Sequence, residues 1–96
     1  MKEYEVPEAF CSKLRLTIIS CLVSKYMFFS ELREATKATD GNLSIQLKKL
    51  IGWGYIEAEK MLKDNKAVTQ YRLTKEGLEE FEVYVKFLEE VLTHRE

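Results

Sequence analysis

A chain of 96 residues, 46% hydrophobic and 32% charged, has the proportions of one folded domain with a modest core, not of a disordered segment. No apolar run approaches the roughly 18 residues of a membrane span, and the opening "MKEYEVPEAF" lacks the charged-then-apolar plan of a signal peptide, so a cytoplasmic protein with no membrane partner is expected. The net charge of −1 excludes a uniformly basic nucleic-acid binder but hides a gradient: residues 1–38 carry net +1, residues 39–74 net +2 and residues 75–96 net −4.

Pro7 suits the first turn of a helix, where its missing N–H costs nothing. From there to about Val23, Cys11, Leu14, Ile18 and Cys21/Leu22 recur at helical spacing, and a second row of Leu16, Ile19 and Val23 widens the stripe. Two cysteines ten residues apart on one helix are separated by about 15 Å of rise, too far for a disulfide or a shared metal ion. They read as small buried apolar residues. The pattern breaks over Ser24–Phe28, after which Ser30 can cap a short helix with Phe29, Leu32 and Ala35/Thr36 inward. A third helix follows a tight connection, capped by Thr39 or Asp40 and running to about Trp53, with Gly54 as its left-handed stop.

The period then changes. "YIEAEKM" (Tyr55–Met61) and "TQYRL" (Thr69–Leu73) read as strands of a hairpin, joined by a loop "LKDNKAV". Thr74 caps a long last helix, with Leu73 and Leu78 spaced as a hydrophobic staple. Leu78, Phe81, Val85, Leu88 and Leu92 mark one stripe on it, flanked by Tyr84, Phe87 and Val91. The order is helix, helix, helix, strand, strand, long helix. It predicts a mainly α fold with a β-hairpin wing (α+β): a winged helix-turn-helix, one domain over 1–96, with a core at 7–74 and a C-terminal dimerisation helix at 75–96.

The third helix, "TDGNLSIQLKKL" (Thr39–Leu50), carries the functional signal. Leu43, Leu47, Leu50 and Ile51 fall in one apolar arc. Opposite lie Gly41, Asn42, Ile45, Lys48 and Lys49, with Ser44 and Gln46 on the shoulders. Such a mixture suits a DNA major groove. Lys48 and Lys49 can meet phosphates or guanine, the paired donor and acceptor of Asn42 and Gln46 suit adenine, and Ile45 can rest on a thymine methyl. Ser44 is placed for a phosphate. The same residues would also decorate an ordinary solvated helix.

The segments "TDGNLSIQLKKL", "GYIEAEK" and "TQYRLTKEG", with "SKLRLTIISCL" upstream and Arg15 in the usual arginine place, resemble the small winged-helix transcriptional regulators related to the MarR and ArsR groups. The resemblance covers residues 7–92. It implies a dimer whose third helix enters the major groove of double-stranded DNA, and it carries over to Asp40, Asn42, Ser44, Ile45, Gln46 and Lys49; Thr39 at the helix start and the outward Lys48 complete the candidate reading set. It also implies a wing that touches the flanking backbone or the minor groove through Lys63, Lys66 and Arg72. The last helix would pair with a second copy through Phe81, Tyr84, Val85, Phe87, Leu88, Val91 and Leu92. There are departures. Ile45-Gln46 stand where the family often has Arg-His, and Ala67-Val68 where it has a basic residue and proline.

A rival reading is a winged-helix module that binds protein partners and has lost DNA. The low net charge and sparse wing favour it, while the outward Lys48 and Lys49 oppose it. An enzyme is not expected, since the one histidine, His94, lies near the chain end and no nucleophile–base pair or phosphate loop is visible. No cofactor or metal is expected, and any effector would have to bind between the last helix and the core.

Overall fold

The computed structural model describes residues 3–94. Helix α1 (Lys13–Leu22) is followed by a two-residue strand β1 (Met27–Phe28), helix α2 (Phe29–Thr36) and helix α3 (Asp40–Gly52). Strands β2 (Ile56–Lys63) and β3 (Lys66–Leu73) and the 19-residue helix α4 (Lys75–Thr93) complete the chain. The sheet is antiparallel in the order β1-β3-β2, with Met27 opposite Tyr71 and Ile56 opposite Leu73. This is the winged helix-turn-helix expected from the sequence. No described helix is long and apolar enough to cross a membrane.

Leu43, Leu47 and Leu50 of α3 are fully buried against Ile18, Ile19, Leu22, Leu32, Met27 and Ile56. At roughly 2–5 kcal/mol lost per large-to-alanine change, these leucines fix the helix to the core. Ile51 departs from the predicted arc and is exposed, as is Val23 at the end of α1.

Several boundaries differ from the sequence reading, each for a local reason. Pro7 starts only a short 3₁₀ turn (Glu8–Phe10). The first α-helix begins later, where the Ser12 hydroxyl accepts the Arg15 N–H. Cys11 therefore lies outside that helix and is exposed, not buried, while Cys21 is half-buried against the core. Helix α2 is not capped by Ser30. It starts at Phe29, where the Glu31 carboxylate reaches back to accept the Phe28 N–H at 2.8 Å. The wing is longer than predicted. Most of "LKDNKAV" is strand, and the turn is only Asp64-Asn65, with φ of 53° and 64°. Asp and Asn tolerate that left-handed geometry, which matches strand twist.

The corner between α3 and β2 explains the threonine and the glycine of "TKEG". The Thr74 hydroxyl accepts the Gly77 N–H at 2.9 Å and donates to the Gly54 carbonyl at 2.7 Å. The Thr74 N–H donates to the Tyr55 carbonyl at 3.0 Å. Gly77 lies so close to that carbonyl that any Cβ would overlap it. The start of the long helix is thus pinned against the Gly54–Tyr55 turn that follows α3.

Candidate nucleic-acid interface

With its leucines inward, α3 presents Gly41, Asn42, Ile45, Lys48 and Lys49 to solvent, and Ser44 and Gln46 are half-buried on its shoulders. Ile45 is 55% exposed in the middle of this polar face. One exposed aliphatic side chain is ordinary on a protein surface, and its place here, among amides and lysines, gives the face one apolar contact point. At the helix start the Thr39 hydroxyl accepts the Asn42 backbone N–H at 3.2 Å, which commits it to capping. Asp40, whose charge would repel phosphate, is paired with Arg33 of α2 at 3.1 Å.

The wing divides into two parts. Lys63 and Lys66 stand opposite each other across the turn and are exposed, so the tip is cationic. The Lys63 ammonium also sits 4.5 Å from the Phe28 ring centroid. Arg72, by contrast, is spent within the hairpin. Its Nε lies 2.8 Å from Glu57 and its Nη1 3.2 Å from Glu59. The hydrogen bond to Glu57, then that residue's charge, push its guanidinium further above the ordinary arginine value. It braces the strands, and reaching phosphate would require leaving both carboxylates.

One residue given no contact role from its position supports the face from behind. Arg15 is only 7% exposed. Its Nη2 and Nε donate to the carbonyls of Glu8 and Ala9 at 2.8 and 3.3 Å, and its guanidinium lies 5.5 Å from the Trp53 ring centroid. Its Nη1 donates to Gln46 Oε1 at 2.8 Å. Gln46 Nε2 in turn donates to Asn42 Oδ1 at 3.2 Å. The link spans 31 residues, so no local spacing could have revealed it.

On α4 the expected dimer residues separate into two sets. Phe81 and Tyr84 pack on Phe10, at 5.9 and 5.0 Å between ring centroids, and Phe87 packs on Tyr4 at 4.9 Å. These three are half-covered by their own chain. Val85, Leu88, Val91 and Leu92 are exposed, Leu92 by 64%. Leu78, Phe81, Val85, Leu88 and Leu92 alternate steps of three and four, the spacing of a coiled-coil seam. Among the described residues no three His, Cys, Asp or Glu side chains gather as metal ligands.

Comparison with known proteins agrees with this geometry. Residues 14–92 match the model of a family described as winged helix DNA-binding domain. An uncharacterized protein of Methanocaldococcus jannaschii is 34% identical over 77 residues, covering 79% of this chain and 84% of its own. A transcriptional regulator homologue of Pyrococcus horikoshii superposes with a TM-score of 0.81 at 24% identity, over 88% of this chain and 85% of that one. A MarR-family regulator structure from Enterococcus faecalis gives 0.79 at 20% identity, over 88% and 77%. Bacillus subtilis PadR in complex with operator DNA gives 0.65 at 20% identity, over 72% of this chain and 44% of PadR.

Proposed function

The chain belongs to the winged helix DNA-binding domain family, and from that premise we propose that it acts as a homodimeric, sequence-specific transcriptional regulator that represses by occupying its operator. Helix α3 enters the major groove, and Lys63 and Lys66 lie on the flanking backbone. The seam of α4 pairs with a second copy. Two-fold pairing sets the recognition helices about 34 Å apart and demands a near-palindromic site. The observation that carries this reading is the exposed Ile45 among amides and lysines, on a helix whose leucines are fully buried. The PadR–operator complex supports DNA as the partner by its shared fold.

A second reading, a protein-binding module, draws on one feature: Arg72 is held by Glu57 and Glu59, which leaves the wing few free cations. Selection from random-sequence duplexes with the full chain separates the two. Enrichment of two half-sites roughly one helical turn (about 10 bp) apart is expected. No enrichment at moderate salt would move the function to a protein partner.

A further inference from the structure

Arginine carries five N–H donors and no acceptor. Because Arg15 Nη1 lies 2.8 Å from the Gln46 amide, the oxygen of that amide must face it, whichever way the group would otherwise turn. The Gln46 nitrogen is therefore directed away, toward Asn42, 3.2 Å off. That bond turns the Asn42 oxygen toward Gln46 and its NH₂ to the opposite side of the amide plane, outward. Arg15 itself is buried and anchored on two carbonyls, so the sequence of bonds is fixed from the inside.

The result is a face on which both amides turn their N–H donors outward. Asn42 keeps its amide N–H groups, Gln46 keeps one, and Lys48 and Lys49 are donors by nature. Yet a bidentate match to adenine needs both an acceptor for N6 and a donor for N7. We propose that Arg15 is a positioning residue that sets base choice, so that Asn42 and Gln46 read acceptor edges, guanine O6/N7 first and thymine O4 second, and reject adenine. This reverses the adenine preference that the residue types alone suggest, and it rests on α3 reading DNA as proposed above.

The test is base preference from random-sequence selection with the full chain and its variants. The relevant base pairs are those where Asn42→Ala loses discrimination. There the wild type should favour guanine over adenine on the order of tenfold. Gln46→Glu keeps an oxygen on Arg15 but has no N–H for Asn42. The Asn42 amide then turns its nitrogen inward, and preference should invert to the donor-bearing bases adenine or cytosine. Arg15→Lys, still a pure donor, should retain guanine. Arg15→Met should bring guanine and adenine within about twofold, because both amides can then turn freely. Arg15 also holds Glu8 and Ala9, so if Arg15→Met fails to fold, Gln46→Glu, at a half-buried surface position, carries the test. Adenine enriched by the wild type, or guanine retained by Gln46→Glu, overturns the inference and leaves the DNA-reading function standing. No enriched motif for the wild type refutes that function, and this inference with it.

Discussion

Gly77→Ala tests how α4 is joined to the recognition helix, because two effects of opposite sign compete there. Gly77 is the third residue of α4, where alanine is the better helix former by up to about 1 kcal/mol. On an open helix the change would therefore stabilise. Here the new methyl group would overlap the Tyr55 carbonyl, a backbone atom that cannot swing aside as a side chain can. Relief requires moving the start of α4 away from the α3–β2 corner, which stretches the bonds from Thr74 to Gly54 and Tyr55. Overpacking costs about 1–3 kcal/mol, and a damaged cap adds about 1. The net expectation is a loss of about 2 kcal/mol, or roughly 10 °C in Tm for a domain of this size. Thermal melting followed by circular dichroism, at one fixed protein concentration because the proposed dimer would make Tm depend on it, measures it. A Tm equal to or above that of the wild type would refute the close approach.

Three further outcomes follow from the exposed surfaces. Ile45→Ala should leave the fold intact and lose preference at one base pair, on the order of fivefold in competition binding, with the salt dependence unchanged. Leu88→Asp places a charge in the α4 seam without touching the buried core. Sedimentation should show the dimer dissociation constant raised on the order of 100-fold, and an unaltered dimer would exclude that seam. Replacing Glu57 and Glu59 together by Gln should release Arg72 to the DNA. Affinity should rise and the salt slope steepen by about 2 for a dimer, whereas an unchanged slope would mean Arg72 never reaches phosphate.

The fold was legible wherever one face of an element meets the core. Leu43, Leu47 and Leu50 announce α3, and Thr74 announces the start of α4. The wing outruns its sequence pattern because only Ile56 of β2 is buried, so a projecting hairpin carries no alternation for most of its length. Strand β1 is two residues, too brief for any period, and is defined by its pairing with Tyr71 and Gln70. The outward residues of α3 were visible as the complement of its leucines. What Asp40, Gln46 and Arg72 do with their polar groups was not, since their partners Arg33, Arg15, Glu57 and Glu59 come from other elements. Periodicity reports which way a side chain points, but hydrogen-bond capacity is assigned only once the chain is folded.

In the proposed complex the outward lysines of α3 lie on DNA. Lys48, Lys49, Lys63 and Lys66 are all exposed, and in a dimer they supply eight cations. If each neutralises one phosphate, the logarithm of affinity should fall with the logarithm of salt at a slope of about −7. Fluorescence anisotropy on the selected duplex measures that slope for the wild type and for Lys48→Ala combined with Lys49→Ala. The slope should fall to about −4 in the double variant, with the Tm unchanged. The same slope in both proteins would show that the DNA lies elsewhere, and α3 would no longer be the reading helix.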